Sequence, residues 1–102
     1  PKDIIIEDLK ITVRKLTKED IKTRKLPNQT SGLVVTKIGN TSPLKNSIEA
    51  NSIIVEAQKT RVKNANDLEK IVKEVLRSNQ KTILFAIYNN QNQRRYIGVK
   101  LN

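Results

Sequence analysis

The stretch Glu7-Asp8-Leu9-Lys10-Ile11-Thr12-Val13-Arg14 reads as a short loop that turns into a strand. Leu9, Ile11 and Val13 alternate with Lys10, Thr12 and Arg14, so one face is apolar and the other polar. The strand is expected to run on to Leu16 and to present an open edge beside a helix. Just upstream, Ile4-Ile5-Ile6 is a β-branched run that reads as a short first strand, ended by Glu7-Asp8.

Outward from this stretch the chain alternates strands with two helical signals. Thr17 reads as an N-cap with Asp20 three residues on, so a short helix is expected over Lys18–Lys25, stopped by Pro27. Leu33–Ile38 is an apolar run and is expected to be a central strand buried on both faces. Ser42-Pro43 looks like an N-cap with proline at the first helical position, opening a helical turn to about Ser47. Ile53–Ala57 reads as a strand entered through Asn51, a residue that tolerates the left-handed turn conformation. After a turn at Gln58-Lys59-Thr60 comes a strand stub at Arg61-Val62. Leu68, Ile71, Val72, Val75 and Leu76 then recur at helical spacing, and a helix is expected from Asn66 to Arg77 behind an Asn64-Ala65-Asn66 cap. Thr82–Tyr88 and Arg94–Leu101 read as an antiparallel pair around Asn89-Asn90-Gln91-Asn92. The class is mainly β with two helices, either a partly open barrel or a sandwich.

Composition narrows the chemistry. The 102 residues make one domain with one modest core, and aromatics at 3% leave that core to Ile, Leu and Val. There is no Cys and no His, which excludes a Cys nucleophile, a Ser-His-Asp triad and any His- or Cys-based metal site within this chain. No cofactor or metal is expected, and no apolar run reaches the ~20 residues that a membrane helix needs. Net charge is +10, yet the basic residues occupy every segment and never run longer than two, and no aromatic pair is placed to stack bases. The charge reads as a solvated surface and not as a nucleic-acid site. The start, Pro1-Lys2-Asp3-Ile4, has no initiating Met and no signal-peptide pattern. The chain is therefore expected to be a piece of a longer one, with any targeting segment outside it.

Several stretches together resemble a known family. Gly32-Leu-Val-Val-Thr-Lys-Ile, Ser42-Pro43, Ile48-Glu-Ala-Asn-Ser-Ile-Ile-Val-Glu-Ala and Val62-Lys-Asn-Ala-Asn-Asp-Leu look like a bacterial PDZ domain. More narrowly they look like the PDZ domains of HtrA/Deg (Do-like) serine proteases, from about Leu9 to Leu101. The ending Arg95-Tyr-Ile-Gly-Val-Lys-Leu-Asn102 resembles the carboxyl terminus of those proteases, which implies the last, second PDZ domain. The resemblance implies a PDZ-like, five- to six-stranded fold spanning 1–102. It implies a non-catalytic module of a periplasmic serine endopeptidase whose triad lies in another domain. The implied partners are carboxyl-terminal or extended peptides of unfolded proteins, and neighbouring PDZ or protease domains of an oligomer.

The resemblance also assigns roles to residues. The backbone amides of Leu9, Lys10 and Ile11 would face a peptide carboxylate, as consecutive amides in a turn form an anion nest. The peptide would add as a strand against Ile11, Thr12, Val13 and Arg14. Ala65, Leu68, Glu69 and Val72 would form the helical wall of the groove. Lys10 stands where the family loop, x-Φ-Gly-Φ, has glycine. Lysine there either strains or blocks the loop, or adds a cation beside the anion. Arg14 and Lys10 would steer acidic ligands, and Glu69 would favour a basic one. The alternative implied role is packing between subunits, with a degenerate groove.

Overall fold

The computed structural model describes residues 1–101; Asn102, the last residue of the Arg95–Asn102 stretch, lies outside the described residues. The elements follow in the order β1 (Ile4–Ile6), β2 (Ile11–Lys15), α1 (Lys18–Arg24), β3 (Leu33–Ile38), β4 (Ile53–Ala57), β5 (Thr60–Arg61), α2 (Ala65–Arg77), β6 (Thr82–Tyr88) and β7 (Arg94–Lys100). The strands form one sheet in the order β1-β2-β3-β4-β6-β7, and β5 pairs with β4 off this path. Every pairing is antiparallel. The sheet has seven strands, not five or six, because both short pieces, β1 and β5, join the ladder.

Alternation along the strands divides the apolar residues between two faces. Leu33, Val35 and Ile54 point to one core, together with Ile6, Leu9, Ile11, Val13, Phe85 and the α2 residues Leu68, Ile71, Val72 and Val75. Val34, Ile53 and Val55 point to the other, with Leu16, Leu26 and Ala86, against which Ile21 of α1 packs. The expected double burial of Leu33–Ile38 holds for its first half, Leu33 to Val35. Lys37 is exposed, because there the strand has run past β4 and faces only β2.

Local chemistry sets the turns. Asn51 takes φ 74°, as expected of an Asn in a tight turn. Gln58 and Lys59 take φ 53° and 63°, the left-handed pair of a primed hairpin turn. Asn89 holds the β6–β7 turn by accepting hydrogen bonds from the Gln91 and Gln93 amides, each at 2.9 Å. The Thr17–Asp20 capping box forms as expected.

Three local expectations need correction. Lys25 ends α1: it is left-handed at φ 57°, and its N–H donates to the Ile21 and Lys22 carbonyls. With Leu26 N donating to Ile21 O at 2.9 Å, this is a wrapped C-cap, and Pro27 merely follows it. The helical turn expected from Pro43 to about Ser47 takes the form of hydrogen-bonded turns that do not join into a helix, with Ser47 N and Ile48 N both donating to Leu44 O at 2.9 and 3.1 Å. Ser42 caps it locally, accepting from Leu44 N at 3.0 Å and donating to Leu9 O at 2.6 Å. Finally, α2 starts at Ala65, one residue before the expected Asn66, because Asn64 is the N-cap and accepts from Asp67 N at 2.9 Å.

Candidate functional site

The site expected from the sequence centres on β2 and the turn before it. The structure corrects the claim that β2 is an open edge. β3 pairs with one side of it, and β1 pairs with the other in the register Ile4↔Val13, Ile5↔Thr12 and Ile6↔Ile11. The reason is local. An unpaired strand edge presents a row of N–H and C=O groups, and the nearest β-branched segment is only four residues away. The Glu7–Lys10 link folds Ile4–Ile6 straight back onto that edge. Ile6 becomes fully buried, while Ile4 and Ile5 stay exposed.

The turn amides are engaged in the same hairpin. Leu9 N donates to Ile6 O and Lys10 N donates to Glu7 O, both at 3.2 Å. Ile11 lies opposite Ile6. Leu9 itself is fully buried. Lys10 has φ 52°, the left-handed conformation that a glycine would enter without penalty. Its side chain leaves the turn amides, and Nζ donates to Thr41 Oγ1 at 3.1 Å. Its carbonyl accepts from Gly39 N at 2.8 Å. A Cβ on Gly39 would stand 2.9 Å from that oxygen, so the β3 end of this contact needs glycine. Of the readings open for Lys10, backbone strain is the one the geometry supports.

The residues expected to form the helical wall lie on the inward face of α2 or beside it. Leu68 and Val72 are fully buried and Ala65 nearly so, in one core with Leu9, Ile11 and Val13. Glu69 is half-buried. α2 packs on β1, β2 and β6, and Lys73 Nζ reaches Asp8 Oδ2 at 3.1 Å, fastening the helix to the turn. Arg14 is not free to steer a ligand. Its guanidinium holds Asp20 through two bonds, Nη1 to Oδ2 at 2.7 Å and Nη2 to Oδ1 at 3.0 Å. Asp20 also accepts from Thr17 N at 2.8 Å. The Arg14 hydrogen bonds, aided by Thr17, hold the Asp20 carboxyl well below the usual carboxylate range.

Among the described residues no group of three or more His, Cys, Asp or Glu could hold a metal ion. No described helix is long and apolar enough to cross a membrane.

The same arrangement of sheet and helices occurs in solved structures of a protease. The HtrA-type protease AlgW with decapeptide superposes with a TM-score of 0.66 at 19% identity, covering 92% of this chain and 28% of that one. A substituted form of that protease, also with decapeptide, gives 0.69 at the same identity and coverage. The chain has a PDZ-like fold. This PDZ-like chain thus spans little more than a quarter of the proteases it superposes on. No protein-family model matches it, and no curated protein does.

Three features of the structure around this turn and sheet were not legible in the sequence to the same degree. The pairing of β1 with β2 had a visible signal: two β-branched runs with a four-residue link, a hairpin length. The Ser42–Leu9 bond had none, because Ser42-Pro43 reads equally well as a helix start. Arg24 had none either. Its guanidinium donates to Asn92 Oδ1, to Asn51 O at 2.8 Å and to Asn89 O at 2.9 Å, joining α1 to two distant turns. Burial of this group lowers its pKa from the ordinary value.

Proposed function

We propose that this PDZ-like chain is a peptide-binding module of an HtrA-type serine protease. It captures carboxyl-terminal or extended segments of unfolded proteins by strand addition beside β2. The carrying observation is the fold shared over 92% of the chain with a protease solved with decapeptide. The Leu9–Ile11 turn, β2 and the Ala65–Val72 face of α2 lie together, as this reading requires. Main-chain bonds supply affinity in such a mode, and an apolar seat selects one side chain. The catalytic triad belongs to another part of the parent, since this chain has no His. The parent works in the bacterial periplasm, and this is its second PDZ domain.

The test is an NMR titration of the chain, and of a form with β1 dislodged, against peptides with apolar carboxyl-terminal residues. Shifts in 9–14 and 65–72, with micromolar or weaker affinity that drops on amidating the terminus, are expected. Flat titrations of both forms across a broad panel would remove the peptide role.

The second reading is packing between domains of an oligomer. It is favoured by the occupied flank of β2 and by the opposite sheet edge. There Arg94 lies 5.7 and 5.6 Å from the ring centres of Tyr88 and Tyr96, and Tyr96 is 62% exposed. Deleting this domain from the parent should then change oligomer size; an unchanged size rejects this reading.

A further inference from the structure

β1 occupies the place and takes the direction that an added peptide strand would. It runs antiparallel to β2, and its carboxyl-terminal end meets the Leu9–Ile11 turn. Two of the three amides assigned to a ligand carboxylate, Leu9 and Lys10, are bound instead to carbonyls of the same chain, Ile6 O and Glu7 O, and the third, Ile11, is a ladder partner of Ile6. The apolar seat is filled too. Ile6 is fully buried in the cluster that holds Leu9, Ile11, Leu68 and Val72.

This occupant is held lightly. Three residues of β1 pair with β2, whereas seven pair between β6 and β7. Ile4 and Ile5 are 42% and 58% exposed, so only one side chain anchors the strand. The two turn bonds are long at 3.2 Å, beside the 2.7–2.8 Å of Asn51 N–Val35 O and Gly39 N–Lys10 O. The Asp8–Lys73 pair that secures the turn is exposed to water, where an ion pair holds little.

We infer that β1 is an internal stand-in for the ligand: Ile6 fills the anchoring seat, and a peptide binds by displacing β1 and placing an aliphatic side chain where Ile6 sits. This rests on the peptide-binding reading above. Affinity is then set by a competition inside the domain, and whatever loosens 4–6 raises it. Strand exchange also defines the ligand class, an extended segment with an aliphatic residue at its carboxyl end.

The experiment uses the whole 102-residue chain carrying Ile5→Cys and Thr12→Cys. These two positions are register partners, and the chain has no other cysteine. The probe is a fluorescein-labelled ten-residue peptide ending in isoleucine with a free carboxylate, followed by anisotropy. The oxidised form, with β1 locked, should bind at least tenfold more weakly than the reduced form. A second variant, Ile4→Pro, removes the backbone donor that β1 offers to Val13 at an exposed side chain and should bind at least tenfold more tightly than the unchanged chain. A peptide ending in lysine should bind at least tenfold more weakly than the isoleucine peptide. Equal binding by the locked, reduced and unchanged chains overturns the stand-in role and leaves the peptide reading intact. Absence of binding by every form, with Ile4→Pro folded by its amide spectrum, overturns the peptide reading and this inference with it. If Ile4→Pro does not fold, the redox pair alone decides the stand-in role.

Discussion

Lys10 shows how one residue can carry a fold without being the residue best suited to it. Its left-handed backbone costs a side chain about 1–2 kcal/mol, and a β-branched residue would bear more. Lys10→Val should therefore lower stability by about 1–2 kcal/mol, whereas Lys10→Gly should change it by less than about 1 kcal/mol as relief of strain offsets the freer unfolded chain. Urea denaturation midpoints at constant m distinguish the two outcomes. Asp20 makes a second prediction at this scale. Its folded pKa is depressed, mainly by the Arg14 hydrogen bonds, so its unfolded form takes up protons first as acid is added. The stability it contributes is present above the unfolded carboxyl value of ~3.9 and is lost as pH falls from there toward the depressed folded value. Asp20→Asn should lower stability at pH 7 and flatten the loss below pH ~4. A parallel pH profile for the variant and the unchanged chain would contradict this. The capping box at Thr17 and Asp20 was legible from four residues; the partner Arg14 was not, because the pairing needs β2 and α1 to meet.

At the scale of elements, α1 is a short helix with no fully buried residue of its own. Seven residues are too few to be stable alone in water. Its hold comes from both ends: the Thr17 box, the Lys25–Leu26 cap, and Arg24 bridging to the turns at Asn51 and Asn89–Asn92. Arg24→Ala leaves two backbone carbonyls without this donor and should cost about 1–3 kcal/mol. Hydrogen exchange should quicken in α1 and in both turns together; a change confined to α1 would refute the bridge. α2 differs, because Leu68, Ile71, Val72 and Val75 bury a continuous stripe. That stripe was readable from spacing alone, as was each strand whose apolar residues alternate or run. What spacing did not reveal was the flank on which β1 would lie.

The whole molecule carries +10 net charge, with three salt bridges among the described residues. Like-charge repulsion acts over the surface in proportion to that excess, while the ion pairs are few and partly exposed. Salt should therefore stabilise the fold. Raising ionic strength from about 20 to about 200 mM shortens the Debye length from roughly 20 Å to under 8 Å and should raise Tm. A fall in Tm would mean that attractive pairs outweigh the repulsion. At this scale too the two open ends of the sheet face different fates. β7 keeps a charged, exposed outer edge, with Arg94, Arg95 and Lys100 guarding it against pairing with another chain. β1 covers the edge of β2 from within.

The sequence by itself determined the elements: which runs are strands, where Asn51 turns the chain, which face of α2 is apolar, and that no Cys or His chemistry resides here. Those properties depend on spacing and residue type within a few positions. Only the tertiary structure decided what the opening stretch does. Ile4–Ile6 and Ile11–Arg14 were both legible as strands, yet whether the first covers the second depends on the seat between β2 and α2. That seat is built from Leu68 and Val72, more than sixty residues from Ile6 along the chain. The hairpin-length link permits the pairing, and burial of one isoleucine in this seat, worth about 1.5–3 kcal/mol, secures it; the seat itself is not written in any local pattern.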